Sequence, residues 1–284
     1  MAPTFDLAAW AKRSGAAPNR DEVILRPVAP SIALEASIRS AARSVVNGLQ
    51  RETQQAVVPE IAGARVELAR DSVSGLFGAF RRLRELLTRL ILAAEGMVER
   101  ALTVDEARHR RQFMESVNAA VGVDLAGVIA ASDVDAHIRL AVARSVNLIR
   151  GLGEDTAKKV EQVVLQALGE GASNREIAKR LTEAFGMQRR RAALIARDQA
   201  AKFNGNLNRI RQTQAGITEY VWATALDERV RGNPGGKYPS ARPSHWAREG
   251  KRYRWDAPPE GGHPGEAIQC RCIGRPILRL SQQA

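Results

Sequence analysis

Cysteine and aromatic residues are scarce in this sequence of 284 residues, which contains two cysteines and 5% aromatic residues. Cys270 and Cys272 are separated by one residue, a spacing that strains a disulfide, and no third cysteine offers another partner. The sequence therefore argues against a disulfide scaffold. Reduced thiols or metal ligands are the favoured roles for the pair, which suits a cytoplasmic origin.

Signatures of membrane insertion, secretion and catalysis are also missing. No run of eighteen apolar residues is present, and the first residues lack the basic and apolar regions of a secretory signal, so we expect neither a membrane span nor secretion. The sequence contains no pair of carboxylates at metal-binding spacing, no glycine-rich phosphate loop and no nucleophile elbow. These absences argue against an enzyme.

Positive charge is concentrated in the C-terminal third of the chain, whose formal charge as a whole is +12. Residues 186–284 contain 18 Lys and Arg against 8 Asp and Glu, whereas residues 1–185 contain 25 against 23. A basic module on a nearly neutral scaffold indicates a polyanion or an acidic protein surface as partner, although excess charge can also serve solubility alone.

Helical periodicity dominates the first two thirds of the chain. Residues 1–30 are predicted to form an extended arm with a short helix near residues 5–12. From residue 31, apolar residues recur at intervals of three and four, which predicts a helix that ends at Pro59. Further helices are predicted over residues 61–101, 103–121, 132–149 and 156–168, with glycines ending the last two.

The stretch from Ser173 to Gln214 allows two interpretations. Residues 173–176 are the predicted cap of a helix over residues 177–185, and Gly186 is its predicted stop. Within this stretch, residues 174–181 resemble the first helix of a helix-turn-helix. The run over 189–214 is too long and continuous for a short recognition helix. We therefore expect an ordinary helical hairpin rather than a sequence-specific DNA reader.

The period changes after Gly216, where alternating residues rich in β-formers predict strands at 217–224, 251–255 and 272–278. Trp222, Trp246 and Trp255 are the predicted core of this part. The fold class is α+β: a mainly α-helical body with a small basic C-terminal α+β module of a few short strands. The predicted domains are the arm at 1–30, a helical domain at 31–170 and a C-terminal domain at 171–284.

Four residues of the C-terminal module are candidate metal ligands: His245, His263, Cys270 and Cys272. Neutral imidazole and thiolate are the usual ligands of zinc, and four of them would close a tetrahedral structural site without an open position for water. The spacing is not that of a recognised zinc finger. In the alternative interpretation, His263 and Pro264 shape a turn and the cysteines lie on a short strand.

Two further sets of polar residues are candidates for binding. Asp227, Arg229 and Arg231 alternate and would share one face of an extended segment, either as a network aimed at an anion or as an internal salt bridge. The second set is basic and spans several helical turns: Arg189, Arg190, Arg191, Arg197, Lys202, Arg209 and Arg211. Such a set is either a solvated face or a surface that neutralises phosphates without sequence choice.

The order of these features resembles the phage Mu F-like minor head proteins, also called head-morphogenesis or portal-associated minor capsid proteins. The resemblance covers residues 171–276, and its most specific parts are residues 227–231 and residues 263–272. Many members carry further cysteines shortly after the first of these parts. Here Arg231 and a Gly/Pro-rich loop take that place, and His245 follows later.

The resemblance implies a structural, non-enzymatic minor head protein of a tailed phage or prophage, made in the host cytoplasm and assembled into the multi-subunit virion near the portal. Implied partners are the portal protein, other head proteins and genomic DNA bound without sequence preference. The candidate cofactor is structural zinc at the four candidate ligands, and the alternative is that the protein has no cofactor. The alternatives are a non-specific DNA-binding adaptor and a nuclease or toxin-like phosphodiester hydrolase. The hydrolase would use His245 or His263 as general base and Arg229, Arg231 or Arg254 to stabilise charge.

Overall fold

The computed structural model of the chain describes residues 5–15, 18–68, 74–129 and 134–280, with backbone alone at 65–68. Its helices are α1 (Leu7–Arg13), α2 (Ile32–Glu52), α3 (Glu60–Leu68), α4 (Ser74–Val121), α5 (Asp135–Gly169) and α6 (Asn174–Gln214). Its strands are β1 (Glu22–Ile24), β2 (Glu219–Ala223), β3 (Arg252–Arg254) and β4 (Ile273–Arg279). A mainly helical chain with one small sheet confirms the α+β fold class. Within the described residues, no helix is both long and apolar enough to cross a membrane.

The four strands form one antiparallel sheet in the order β1-β4-β2-β3. In this register, Trp222 of β2 pairs with Gly274 of β4. The three strands predicted in the C-terminal module are confirmed. Strand β1 was not predicted, because three residues are too few to show an alternating pattern; it pairs Val23 with Leu278.

The predicted arm takes part in a hydrophobic core. Leu7 of α1 and Leu25, which follows β1, are buried in one cluster with Phe113 of α4 and Leu278 of β4. The short helix predicted near residues 5–12 is confirmed as α1. Because these apolar side chains are removed from water, the described part of the arm is held to the fold by apolar burial.

Helix α4 corrects the prediction that a new helix begins at Thr103. The helix is continuous from Ser74 to Val121, and the acidic residues interpreted as a first turn lie in its interior. Asp105 accepts a hydrogen bond from Arg108 at 2.6 Å. Residues 69–73, which the predicted helix over 61–101 includes, lie outside the described residues.

Helix α5 corrects the prediction of two helices separated by glycines. It is continuous from Asp135 to Gly169, and the cap predicted at residues 132 and 133 lies outside the described residues. A Cβ atom at Gly153 would lie 2.4 Å from Cδ1 of Leu87 and 3.1 Å from Cγ1 of Val45. This glycine therefore allows close helix packing instead of ending the helix.

Helix α6 corrects both the helical hairpin and the helix-turn-helix, because it has 41 residues without a turn. Its predicted cap is confirmed: the Glu176 amide donates to Oγ of Ser173 at 3.3 Å, and the Ser173 amide donates to the Glu176 carboxylate at 2.7 Å. This reciprocal pair is a capping box. Gly186 lies inside the helix. Its low helix propensity costs stability, but the helical segments on both sides are stable enough to continue through it.

The described residues divide into two compact units. The sheet unit consists of residues within Met1–Leu34, Thr103–Ile138 and Asp198–Ala284, and the helical unit consists of residues within Glu35–Leu102 and Arg139–Arg197. Each unit is therefore built from segments that are distant in sequence. The three-part division into residues 1–30, 31–170 and 171–284 stays a prediction.

Two glycines of α6 provide a matched test of packing. A Cβ at Gly205 would lie 2.8 Å from the carbonyl oxygen of Pro264, whereas a Cβ at Gly186 would meet only the end of the Arg190 side chain at 3.8 Å. We expect Gly205→Ala to lower the free energy of unfolding by about 1–3 kcal/mol through overpacking. We expect Gly186→Ala to raise it by about 0.5–1 kcal/mol through helix propensity.

Urea denaturation of both variants, followed by circular dichroism, measures the two effects in one helix. Unchanged or increased stability of Gly205→Ala would contradict the close approach of Pro264 to α6.

Candidate metal centre

An aromatic cluster in the sheet unit surrounds the two cysteines. Tyr220, Trp222, Trp255, Cys270 and Cys272 are buried together, and the rings of Tyr220 and Trp255 lie 4.2 Å apart. Two of the three tryptophans predicted as core are therefore in this cluster, whereas the third, at position 246, is half-buried and outside it.

His245 and the two cysteines form a group of three adjacent metal-ligand types. Nδ1 of His245 lies 3.5 Å from Sγ of Cys270 and 3.5 Å from Sγ of Cys272. All three residues are buried, and their potential ligand atoms lie within 4.8 Å of one another. Among the residues that the structure describes, this is the one group of three or more His, Cys, Asp or Glu with that geometry. We call it the HCC group.

The dimensions of the HCC group fit a tetrahedral zinc ion. Ligand lengths of about 2.3 Å for Zn–S and about 2.0 Å for Zn–N, with a tetrahedral angle between them, predict a nitrogen–sulfur separation of about 3.5 Å. Both nitrogen–sulfur distances in the group are 3.5 Å. The residue types and the spacing of their atoms therefore match three corners of a zinc site.

His263, the fourth predicted ligand, lies outside the HCC group. Burial raises the pKa of Tyr220, and its hydroxyl oxygen lies within hydrogen-bond distance of Nδ1 of His263, at 2.9 Å. Burial also lowers the pKa of His263, which keeps this ring neutral and able to accept. The backbone amide of His263 donates to Glu266 at 2.8 Å. These contacts match the alternative interpretation, in which His263 and Pro264 shape a turn.

The two thiols of the HCC group influence each other. A hydrogen bond from the Cys272 thiol lowers the pKa of Cys270 well below its ordinary value, and the same contact, together with burial, raises the pKa of Cys272. The backbone amide of Gly265 also donates to Sγ of Cys270 at 3.4 Å. Negative charge is thus favoured on Cys270, and the thiolate is the form of cysteine that binds metals.

Asp227 makes an internal ion pair with a residue that the sequence interpretation missed. Both of its carboxylate oxygens accept from Arg271 at 2.6 Å, and these bonds lower the pKa of Asp227 to about 2. The predicted partner Arg229 lies 3.6 Å away, and its backbone amide donates to Asp227 at 3.0 Å. Residues 227–231 form turns rather than the predicted extended segment. The ion pair ties these turns to the Cys-Arg-Cys motif.

A cavity of about 460 Å³ opens next to the HCC group, and all three members of the group line it. Four arginines also line this arginine cavity, and no carboxylate does: Arg229, Arg231, Arg242 and Arg271. Sequence analysis proposed the first two as an anion network but missed the other two. The charge of Arg271, opposite to that of Asp227, was the signal in the sequence that could have indicated their pairing. Arg242 lies in a loop whose sequence has no pattern that would have indicated its position.

The predicted basic surface on α6 is partly neutralised by the protein itself. In the helical unit, Arg189, Arg191 and Arg197 contact Gln50, Asp155 and Glu35, respectively. Arg190 is exposed, so its side chain is accessible to a partner. Arg191 is exposed as well, so the four arginines of the set in this unit include two exposed ones, and three of the four have their charge or donors engaged within the protein.

The members of the same set in the sheet unit are less accessible. Lys202 pairs with Asp198 at 2.7 Å, and Arg209 is half-buried. Arg211 is completely buried and pairs with Glu106. Arg211 was predicted to lie on the surface, but it lies in the interior, so its guanidinium cannot reach a phosphate.

Comparison with known proteins agrees with the class of protein that these motifs indicate. Residues 158–274 match the model of the family described as "Phage Mu protein F like protein", which confirms the resemblance predicted from the sequence. The matched range contains the HCC group, Asp227 and the arginine cavity.

A relative extends the comparison beyond the matched range. A protein of Haemophilus influenzae (strain ATCC 51907 / DSM 11121 / KW20 / Rd), described as "Uncharacterized protein", is 29% identical over 192 residues. The alignment covers 67% of this chain and 40% of the relative, so the chain spans about two fifths of that protein's length. No solved structure matches the chain.

Proposed function

We propose that this protein is a structural, non-enzymatic component of the head of a tailed phage or prophage and acts near the portal during head morphogenesis. The match of residues 158–274 to the phage Mu F-like family carries this proposal. It is supported by the position of the two specific motifs, residues 227–231 and residues 263–272, within the matched range. Its partners would be the portal protein and other head proteins.

We further propose that the basic C-terminal region contacts the packaged genome through phosphates. Residues 186–284 contain 18 Lys and Arg against 8 Asp and Glu, and such an excess attracts a polyanion. Helix α6 contains no turn that would present a recognition helix. Contacts of this kind give affinity without a choice of sequence.

The location of the protein tests the first proposal. Purified virions are treated with a short amine-reactive cross-linker, digested and analysed by mass spectrometry. We expect peptides of this protein in intact heads and cross-links from its lysines to the portal protein. Absence of the protein from purified virions, with the portal protein detected in the same sample, would refute a structural role in the head.

The DNA proposal is tested by two matched triple variants of α6. Replacing Arg189, Arg190 and Arg191 with alanine should weaken binding to all duplex sequences alike. It should also flatten the dependence of log affinity on log salt, by about 0.9 for each phosphate that is no longer neutralised. The control replaces Arg175, Lys179 and Arg180 with alanine, which removes the same charge from the same helix. We expect this control to keep the wild-type slope.

Binding of both variants to duplex DNA and to the portal protein is measured in parallel by fluorescence anisotropy. If the variant at 189–191 loses only its binding to the portal protein, these arginines contact a protein surface and the DNA proposal is wrong. Equal losses in the two variants would show that net charge alone is responsible.

A further inference from the structure

We propose that the HCC group binds one zinc ion whose fourth coordination position opens into the arginine cavity and takes a phosphate-class oxyanion. The oxyanion is either free phosphate or the terminal phosphate of a nucleic acid. This binding site is independent of the proposed role in the head. It replaces the closed four-ligand site that the sequence predicts with an open site of three protein ligands.

The metal is inferred from the arrangement of three buried donors. Nδ1 of His245 faces both sulfur atoms at 3.5 Å, the separation that tetrahedral zinc requires. The ring is held by an edge-on contact with Trp222, at 5.3 Å between ring centroids. Two thiolates and a neutral imidazole would balance the charge of Zn²⁺ without another protein carboxylate.

The open position follows from the number of ligands and their location. A zinc ion with three protein ligands keeps its fourth position for water or an exchangeable ligand. His263, the remaining predicted ligand, is engaged by the Tyr220 hydroxyl at Nδ1. Because all three members of the HCC group line the arginine cavity, the exchangeable ligand would enter from that cavity.

The charge of the cavity selects an anion. Four arginines line it, and Asp227 is the carboxylate that pairs with members of this set, namely Arg271 and Arg229. Arg231 donates to the backbone oxygen of Ile268 at 2.9 Å, which orients its guanidinium while leaving its charge uncompensated. A cavity with this excess of positive charge concentrates anions.

Phosphate fits this arrangement better than carboxylate. A terminal phosphate has three oxygens, so one can bind zinc while the others accept hydrogen bonds from guanidinium groups. Arginine forms paired hydrogen bonds to phosphate in this way. A carboxylate has only two oxygens, so with one on zinc a single oxygen remains to accept from the guanidinium groups. The volume of about 460 Å³ lies in the range of small-ligand sites, about 300–1,000 Å³, and leaves room for a nucleotide attached to the phosphate.

The metal is tested first, with the full-length protein. We expect freshly purified protein to contain about one zinc per chain and Co²⁺ to replace it with thiolate-to-cobalt charge-transfer absorption. Cys270→Ser and Cys272→Ser should lose both signals. His263→Gln is the matched control and should keep them, because this histidine lies outside the HCC group. Absence of metal in folded wild-type protein, or loss of metal in His263→Gln with retained circular dichroism, would overturn the three-ligand site.

The anion is tested with the cobalt-loaded protein. We expect inorganic phosphate to shift the cobalt d–d bands, which report the fourth ligand directly, and chloride at the same ionic strength to leave them unchanged. Arg231→Gln should weaken phosphate binding about tenfold, the effect of losing one charge-assisted hydrogen bond. Arg254→Gln is the control, because this arginine pairs with Asp256 and is not among the lining residues of the cavity.

Two oligonucleotides of the same sequence, one with a 5′-phosphate and one with a 5′-hydroxyl, identify the source of the oxyanion. A band shift with the phosphorylated strand alone assigns the site to nucleic-acid ends, and a shift with inorganic phosphate alone assigns it to the free anion. If none of these probes shifts the d–d bands of protein that holds cobalt, the fourth position is closed and the anion site is refuted.

Discussion

Replacing Trp222 with alanine is expected to lower the free energy of unfolding by about 3–5 kcal/mol, the usual cost of truncating a large buried aromatic residue. Trp222, a residue of β2, is 0% exposed. The guanidinium carbon of Arg248 lies 4.9 Å from the centre of its ring, and His245 meets it edge-on. The variant therefore removes packing against several segments at once.

Guanidinium denaturation followed by far-UV circular dichroism measures this loss. Trp246→Ala is the matched control, because Trp246 is half-buried and lies outside the aromatic cluster. We expect it to cause a clearly smaller loss. Equal denaturation midpoints for the Trp222 variant and the wild type would contradict the assignment of Trp222 to the core.

Replacing Arg211 with methionine is expected to cost about 3–5 kcal/mol, because the buried carboxylate of Glu106 loses its buried cation. The half-buried Arg110, at 3.7 Å, is the cation that remains near it. Both side chains are nearly inaccessible to water. The double variant Glu106→Leu/Arg211→Met should recover most of this loss, since removing both charges avoids an uncompensated one. Urea denaturation of the two variants and the wild type measures the difference.

The effect of Arg211→Met depends on pH in a defined direction. Burial raises the pKa of Glu106 above its ordinary value of 4.5, and Arg211 opposes this rise. When the pKa of a carboxyl group is higher in the folded than in the unfolded state, ionisation of that group lowers the stability of the folded state as the pH rises above the unfolded-state pKa. The deficit of the variant should therefore shrink as the pH falls through the raised pKa towards 4.5. A deficit that grows over this range would contradict the buried pair.

The control for this pair is on the protein surface. Arg180 pairs with Glu170 at 2.7 Å, and both side chains are exposed to water. Because solvent screens such pairs, we expect Arg180→Met to cause no loss comparable to that of Arg211→Met. A similar loss in both variants would show that the cost comes from the arginine side chain in general rather than from the buried charge.

Local sequence patterns predicted the strands and several helix ends correctly. The alternation around Tyr220 corresponds to β2, and the cap at Ser173 begins α6. These features depend on neighbouring residues, whose preferences act over a few positions. Such local patterns can therefore be read from the sequence without knowledge of the tertiary structure.

The predicted helix breaks failed where packing outweighed local preference. A glycine inside a helix costs about 1 kcal/mol relative to alanine, which is small beside the apolar burial along a long helix. Gly153 lies inside α5 with Leu87 against it, and Gly186 lies inside α6 without a close neighbour. The sequence alone cannot distinguish a glycine that ends a helix from one that admits a neighbour.

The sequence by itself determined the chemistry available to this protein: two cysteines, a surplus of arginine and the motifs of a phage Mu F-like region. Only the tertiary structure decided that His245 rather than His263 joins the cysteines, and that Arg271 pairs with Asp227. These partners are separated by 25 residues or more. The sheet and the turns that follow β2 set the distances between them, and residue type alone contains no information about such distances.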